Sequence, residues 1–298
     1  MSAVNIKKRR YRRDRWKNTF NDILLWVILL FFFIPALWII LTSVRVRSEI
    51  NAHPPVWIPQ EFSLDSYKIL FGMPTPEGAF GMGGSIPVAD YARNSIIIAL
   101  VSTFFALILG TLAGYVFSRF QFRAKNGIFL GMMLARAIPG IALSLPLFIM
   151  FARVGLSDTV TGMIIIYVAL NIPFTAWLMD GFFRAIPKEL DEAARIDGCS
   201  AWGAFVRVDL PLALPGAAAA GIFAFLTSWN EFALAGVITR TPASRTFPPA
   251  LFEFTGQFVS DWRGITAMSV LMLIPAVLFV LLVQRQLMEG LTSGATKG

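Results

Sequence analysis

Residues 23–41 read ILLWVILLFFFIPALWIIL, a run without a single charge. A helix needs about 20 mostly apolar residues to cross the ~30 Å hydrocarbon core of a bilayer. Eight of the 26 Lys and Arg residues lie directly before this run, between Lys7 and Lys17, as in the n-region of a signal peptide. The apolar run is too long for a signal peptide, and no small-residue cleavage site follows it. This stretch therefore predicts an uncleaved first membrane span.

The rest of the chain repeats this pattern. Of its 298 residues, 56% are hydrophobic and only 15% are charged, whereas soluble domains carry about a quarter charged residues. The sequence predicts an all-α integral membrane protein with six transmembrane helices. The predicted spans are 23–42, 94–118, 127–152, 160–183, 214–237 and 265–285.

The basic residues predict the orientation of these spans. With the N-terminus inside, the inner segments hold most of the Lys and Arg residues, which is typical of the cytoplasmic side. Both termini are then cytoplasmic, and the protein belongs in the cytoplasmic (inner) membrane of a bacterium, in contact with the lipid bilayer. The predicted regions are a basic tail (1–22), the first span, an extracytoplasmic loop (43–93), a five-helix core (94–285) that includes an inner loop at 184–215, and a cytoplasmic tail (286–298).

Composition also argues against several function classes. The net charge of +8 does not indicate nucleic-acid binding, because the basic residues flank apolar spans. One cysteine, Cys199, excludes an internal disulfide, and a single histidine makes a structural zinc site implausible. The sequence holds no Gly-Lys-Ser or Gly-Lys-Thr of a P-loop and no catalytic triad. We therefore expect a non-catalytic chain that binds no cofactor itself.

The inner loop between the fourth and fifth spans carries the most informative sequence, RAIPKELDEAARIDG at 184–198. Pro187 suits the first position of a helix, and acidic residues follow it where the helix dipole favours them. Gly198 can end that helix, and Ser200 can cap a second helix over 201–208 that Pro211 terminates. The loop therefore predicts a compact helix–turn–helix beneath the membrane.

The first of these helices presents a thin face at helical spacing, formed by Leu190, Ala193, Ala194 and Asp197. Such a face could dock into a groove of a partner protein. It could equally pack on the chain's own bundle, and the residues by themselves leave both interpretations open.

The spacing of this loop resembles a known motif. Glu192-Ala193-Ala194, three residues, Gly198, nine residues and then Val208-x-Leu210-Pro211 are similar to the EAA motif of binding-protein-dependent ABC importer permeases, with Val208 in place of isoleucine. The block Ser228–Phe232 and the C-terminal tail are similar to the carbohydrate branch of that family, the second permease of maltose-type importers. The resemblance covers the chain from about residue 90 to its end.

The resemblance implies a type I importer fold with a cytoplasmic coupling helix that sits in a cleft of an ATPase subunit. It implies that the docking residues are Leu190, Glu192, Ala193, Ala194, Asp197 and Gly198. The implied partners are a second permease that completes a heterodimer, two ATP-binding subunits that carry ATP and Mg, an extracytoplasmic solute-binding protein, and a sugar or related solute. The tail at Gly290–Gly298 would also reach the ATPase dimer.

Polar residues inside the spans are the candidates for the solute path, because such residues are costly in lipid. They could hydrogen-bond a polyhydroxylated solute while an indole ring stacks on it. Alternatively, Arg136 and Glu231 hold helices together through an internal ion pair or through contacts with the partner permease. The candidates are Arg136, Asn171, Trp177, Trp229, Asn230 and Glu231.

Two other classes remain as alternatives at this point. An ion-gradient-driven transporter or channel would use Glu231 or Arg136 as a relay, but such folds usually contain internal repeats, and we find none. A membrane-embedded enzyme or assembly factor would need clustered catalytic residues in the spans, which the sequence lacks.

Overall fold

The computed structural model of the protein describes residues 3–54, 56–73, 86–255 and 260–295, and regular structure in these ranges is almost entirely helical. The helices are α1 (Ala3–Ser43), α2 (Arg47–Ile50), α3 (Asp65–Leu70), α4 (Val88–Arg119), α5 (Lys125–Arg136), α6 (Gly140–Arg153), α7 (Val160–Ala185), α8 (Lys188–Ile196), α9 (Ala201–Ala204), a π-helical turn (Phe205–Asp209), α10 (Leu210–Leu212), α11 (Leu214–Trp229), α12 (Ala233–Ile238), α13 (Phe247–Ala250), a 3-10 turn (Leu251–Phe254) and α14 (Trp262–Ala295).

Within the described residues, five stretches are long and apolar enough to cross a membrane, and a bent pair of helices raises the number to six if it forms one span. This agrees with the six predicted spans. The five stretches are Thr19–Ser43, Val88–Arg119, Val160–Ala185, Leu214–Ile238 and Trp262–Gln284. The first and last spans belong to longer helices, because α1 begins in the basic tail and α14 continues to Ala295. The final residues of the predicted tail, 296–298, lie outside the described residues.

The predicted third span is a bent pair of helices rather than one continuous helix. Helices α5 and α6 meet at an angle of 97°. Pro139 lies between them with an extended backbone (φ −59°, ψ 132°). Proline disfavours the helical conformation for the residue before it and has no N–H to donate. Pro146, Pro173 and Pro275, in contrast, lie inside continuous helices.

The predicted fifth span is also broken. Helix α11 ends at Trp229 and α12 begins at Ala233, so Asn230 and Glu231 lie in the break rather than inside a helix. This break adjoins the third-span break, since a methyl group placed on Gly140 would lie 3.9 Å from Glu231 Oε1. The polar residues predicted for the outer half of one helix therefore occupy a junction between short helices.

The described residues form two compact units. The first comprises the described residues of Met1–Gly83 and Val259–Val270. There the buried Arg45 donates to the Trp57 carbonyl (2.7 Å), and its guanidinium lies 4.5 Å from the centre of the Trp38 ring. Ser43 and Tyr67 share a 2.7 Å hydrogen bond. These contacts give the start of the predicted 43–93 loop a fixed structure.

The second unit comprises the described residues of Gly84–Phe258 and Leu271–Gly298, and its centre is the pair α4 and α7 with α11 packed beside it. Gly110 and Gly114 allow this contact. A methyl group on Gly110 would lie 2.5 Å from Thr175 Cβ, and one on Gly114 would lie 2.8 Å from the Ala176 carbonyl oxygen. Small residues allow this close approach of helix backbones in membranes.

Candidate functional site

Helix α8 forms the first half of the 184–215 loop, close to where the sequence predicts it. Pro187 is its N-cap rather than its first helical residue. At the other end Gly198 adopts a left-handed backbone (φ +90°) and donates its N–H to the Arg195 carbonyl at 3.1 Å. The Cys199 N–H donates to the Ala194 carbonyl at 2.9 Å. These two bonds form a Schellman cap, which gives the helix a defined end.

The second half of the loop begins as predicted but does not end at Pro211. The Ser200 hydroxyl accepts the Gly203 N–H at 3.0 Å and so caps α9. The chain then widens into the π turn Phe205–Asp209 and continues through α10, which contains Pro211. A π turn is a local change of helix winding that can re-satisfy the backbone where a proline removes a hydrogen bond. The predicted termination at Pro211 was therefore wrong.

Most of the predicted docking residues are exposed on α8. Leu190 is 44% exposed, and Glu192, Ala193, Asp197 and Gly198 are also exposed. Ala194 differs, because it is half-buried.

Two exposed apolar side chains on this loop were missed by the sequence reasoning. Ile196 is 86% exposed and Trp202 is 63% exposed. Ile196 could have been found from the i, i+3 spacing to Ala193, since residues at that spacing share a helix face.

The base of the loop contains a buried ion pair that the sequence did not reveal. Arg119, at the end of α4, donates from Nη2 to Asp209 Oδ1 at 2.7 Å, and the two side chains are 6% and 0% exposed. Arg119 Nη1 also donates to the Ile186 carbonyl at 3.2 Å. No spacing rule links these residues, because they lie far apart in the sequence.

Arg136 is the last residue of α5, at the third-span break, and is half-buried. Its guanidinium lies 4.7 Å from the centre of the Phe174 ring and 3.5 Å from the Leu170 carbonyl oxygen. It borders a groove of about 360 Å³ between α5, α6 and α7. Among the described residues Arg136 and Glu231 form no ion pair, so the internal pair considered from the sequence was wrong.

Glu231 is bonded to two other elements instead. Its Oε1 accepts the Leu234 N–H at 2.9 Å, and its Oε2 accepts the Ala235 N–H at 3.0 Å, so the carboxylate caps α12. Its Oε2 also accepts the hydroxyl of the buried Tyr167 at 2.9 Å. Glu231 therefore ties the start of α12 to the middle of α7.

Asn171 belongs to a second buried polar connection. Its Nδ2 donates to the Ser228 hydroxyl and to the Tyr167 carbonyl, each at 2.9 Å. The Ser102 hydroxyl donates to Ser228 at 3.1 Å, so α4, α7 and α11 are linked through three polar side chains. The amide of Asn171 is 3% exposed at most and is committed to this chain.

The two tryptophans predicted to stack on a solute differ in how exposed their rings are. Trp229 is 1% exposed, stacks on Phe225 and donates its indole N–H to the Met272 carbonyl at 3.1 Å. Its ring is therefore not free for a solute, and that prediction was wrong for this chain. Trp177 is 48% exposed, and Asn230 is exposed, with its amide donating to the Leu226 carbonyl on α11.

At the end of the bundle away from α8, Asp158 organises two loops and was also missed. Its carboxylate accepts the backbone N–H groups of Arg240 (2.8 Å) and Thr241 (3.1 Å) and the hydroxyls of Thr241 and Ser244. Burial alone would raise the pKa of this carboxyl, but these donors outweigh it and hold the pKa below its usual value. The loops before α7 and after α12 are thereby joined.

Comparison with known protein families identifies the family of this chain. Residues 106–292, well over half of the chain, match the family described as the binding-protein-dependent transport system inner membrane component. The chain belongs to this family.

Three of its relatives are permeases named for sugar-containing solutes. The trehalose permease SugB of Mycobacterium tuberculosis is 36% identical over 89% of this chain and 92% of its own. The sulfoquinovosyl glycerol permease SmoH of Agrobacterium fabrum is 31% identical over 89% and 88%. The diacetylchitobiose permease DasC of Streptomyces coelicolor is 30% identical over 95% and 97%.

Solved structures show the same fold. A bacterial ABC transporter that imports the acidic polysaccharide alginate superposes with a TM-score of 0.71 over 92% of this chain and 97% of that chain, at 20% identity. An alginate transporter in complex with its periplasmic protein gives a TM-score of 0.62 over 90% and 95%, at 15% identity. At this identity the likeness shows the type I importer permease fold alone.

Membership of this family decides between the classes left open by the sequence. The chain is a multi-pass inner-membrane permease subunit of an ATP-binding-cassette importer, and it is non-catalytic, because ATP is hydrolysed by separate subunits of such importers. The family works with a solute-binding protein. An ion-gradient-driven transporter and a membrane-embedded enzyme are therefore set aside.

Proposed function

We propose that this permease subunit pairs with a second, different permease and forms with it the path for a sugar or related polar solute. The named relatives support the solute class, since trehalose, diacetylchitobiose and sulfoquinovosyl glycerol all contain sugar units. Two ATP-binding subunits, which hold ATP and Mg²⁺, and an extracytoplasmic binding protein complete the complex.

The proposed orientation places both termini and α8 in the cytoplasm. The excess of basic residues in the N-terminal tail and in the loops at the α8 end of the bundle supports it. The Asp158 loops and the 43–93 segment then face the extracytoplasmic side, where the binding protein would contact them.

Helix α8 is proposed as the coupling helix that docks on an ATPase subunit. The observation that carries this proposal is the exposure of apolar groups on a capped helix outside the spans, with Ile196 86% exposed and Leu190 44% exposed. An exposed helix face with apolar anchors is suited to a groove of a partner. The proposed docking surface is Leu190, Glu192, Ala193, Ile196, Asp197 and Gly198, with Ala194 at its inner edge.

For the solute path we propose the candidate side chains that remain exposed or half-buried in this chain. Arg136 borders the groove at the third-span break, Asn230 lies exposed at the fifth-span break, and Trp177 offers an exposed ring on α7. We propose that Asn171, Trp229 and Glu231 hold the surrounding helices in place and do not contact the solute, since their polar atoms bond within the chain.

The docking proposal is tested in the complex purified with its neighbouring gene products. Glu192→Lys and Gly198→Asp should each reduce the amount of ATPase subunit that co-purifies and lower solute-stimulated ATP hydrolysis. Lys188→Glu is the matched control, because it reverses a charge on the same helix at a residue outside the proposed docking surface, at an end where the dipole favours acid. Unchanged uptake and ATP hydrolysis in Glu192→Lys and Gly198→Asp would contradict the coupling assignment.

A further inference from the structure

Arg119 makes two directional contacts that lie at opposite ends of the α8–α9 loop. Ile186, whose carbonyl accepts from Nη1, is the C-cap of α7 and directly precedes Pro187. Asp209, whose carboxylate accepts from Nη2, is the last residue of the π turn. One side chain from α4 therefore closes the base of the whole segment between residues 186 and 209.

The surroundings of this contact are buried and aromatic. The Tyr115 ring, one turn before Arg119 on α4, lies 4.6 Å from the Phe205 ring and 5.4 Å from the Phe183 ring, measured between centroids. All three rings are buried. Aromatic packing thus joins α4, α7 and the π turn, and it shields the ion pair from water, which strengthens the electrostatic contact.

Stability alone is a poor explanation for such a pair. Buried ion pairs can often be replaced by well-packed apolar residues without loss of stability, because desolvation offsets their attraction. What apolar residues do not provide is a set of directional bonds from one residue to two separate chain segments. The structural consequence of Arg119 is therefore a fixed position of the loop relative to α4.

We infer that Arg119 and Asp209 are positioning residues that transmit displacement of α8 to the α4–α7 pair. Without them the loop keeps its covalent connections to α7 and α11, and it contacts α4 through the packing of Tyr115 on Phe205, which is less directional than an ion pair. With them α4 moves with the loop, and α7 follows because Gly110 and Gly114 bring the two helix backbones together. This inference rests on the proposal that α8 docks on the ATPase.

The test uses the complete complex in proteoliposomes with its binding protein. The central variant is the double substitution Arg119→Met and Asp209→Leu, which removes both charges together and leaves neither partner buried alone. We expect the ATPase subunits to co-purify as in the wild type, whereas solute taken up per ATP hydrolysed falls by about fivefold or more, the lower end of typical coupling between sites. Stimulation of ATP hydrolysis by the binding protein should fall in parallel.

Single substitutions test the same pair by a different route. Arg119→Met leaves the Asp209 carboxylate buried without its partner, so it should lower the yield of assembled complex, and adding Asp209→Leu should restore it. Arg184→Met is the matched control, since Arg184 also pairs with an aspartate, Asp180 at 2.8 Å, and donates to the Phe117 carbonyl of α4 at 3.4 Å, but its side chain is 55% exposed and it makes no bond to Asp209. Its uptake per ATP should equal that of the wild type.

The outcomes separate this inference from the docking proposal. A double variant with wild-type uptake per ATP, or one that loses its ATPase subunits, overturns the positioning role of Arg119 and Asp209. If Glu192→Lys and Gly198→Asp also leave transport unchanged, the docking proposal itself fails. Loss of ATPase binding in those two variants, together with retained binding and poor coupling in the double variant, supports both.

Discussion

The α8–α9 loop and the two broken spans both interrupt the regular transmembrane helices, but they are stabilised in different ways. In the loop the capping bonds are local, since Gly198 and Cys199 bond to carbonyls within five residues and Ser200 bonds three residues ahead. At the fifth-span break Glu231 bonds to Tyr167 of α7, and close to the break Ser228 of α11 accepts from Asn171 of α7. Side chains satisfied by distant partners serve the fold, whereas those left exposed on a locally stabilised element are available to a partner.

The largest effect expected from this difference is at Glu231. Glu231→Ala removes the cap of α12, worth about 1 kcal/mol, and leaves the buried Tyr167 hydroxyl unpaired, which costs about 1–3 kcal/mol. We expect a loss of about 2–4 kcal/mol in the free energy of unfolding, measured by SDS titration with tryptophan fluorescence. The exposed neighbour Asn230 is the control, and Asn230→Ala should stay within about 0.5 kcal/mol of wild type. Equal losses of unfolding free energy in the two variants would contradict the view that Glu231, and not Asn230, stabilises the fold.

A second effect concerns two pairs of glycines spaced four residues apart, Gly110 with Gly114 on α4 and Gly127 with Gly131 on α5. Gly114→Ala places a methyl group 2.8 Å from the Ala176 carbonyl oxygen and the Asp180 nitrogen, both backbone atoms that cannot move independently. We expect a loss of about 1–3 kcal/mol, typical of overpacking. The second pair, Gly127 and Gly131, meets nothing within 4 Å in this chain. Gly127→Ala should therefore be neutral or slightly stabilising in the same SDS titration, and a loss there as large as at Gly114 would show a contact that this chain does not account for.

A smaller effect is expected at Gly198, on the loop side of the comparison. A methyl group there meets nothing within 4 Å, so the cost of Gly198→Ala arises only from the left-handed backbone (φ +90°), about 1–2 kcal/mol. We expect binding of the ATPase subunit to weaken by on the order of tenfold, with global unfolding unchanged. Asparagine tolerates the left-handed conformation better than alanine, so Gly198→Asn should retain most of the affinity for the ATPase subunit. Both variants are compared with wild type by titrating the purified permease with the ATPase subunit. Equal losses in the two variants would mean that the backbone conformation of Gly198 is not what matters.

The smallest effect is expected at Asp158, far from α8. Its pKa in the folded protein lies below the unfolded value of about 3.9, so its ionised form contributes stability at neutral pH. That contribution is present above the unfolded pKa and is lost as the pH falls through the folded pKa. Asp158→Asn should therefore lower the melting temperature at pH 6–7, and its difference from wild type should shrink in a series of melting curves below about pH 4. A difference that grows on acidification would contradict this assignment.

Local rules explain why some predictions were confirmed. Span positions follow from apolar length, and the limits of α8 follow from Pro187 and Gly198, because both depend on neighbours within one or two turns. The same rules failed at Pro139, which breaks a span, while Pro173 lies inside a continuous helix. The two prolines differ in their surroundings, since α7 packs along α4 over much of its length. Packing between helices of this kind cannot be predicted from the residues next to the proline.

The amino-acid sequence by itself determined the membrane spans, the capped α8 helix and, through the spacing from Glu192 to Pro211, the resemblance to the importer family. Only the tertiary structure decided which of the candidate side chains are bonded or packed within the chain. It committed Glu231, Asn171 and Trp229 to contacts within the chain, left Arg136, Asn230 and Trp177 accessible, and joined Arg119 to Asp209. The physical reason is that helix capping and hydrophobic length are properties of adjacent residues, whereas the pairing of buried polar groups depends on which helices the folded chain brings together.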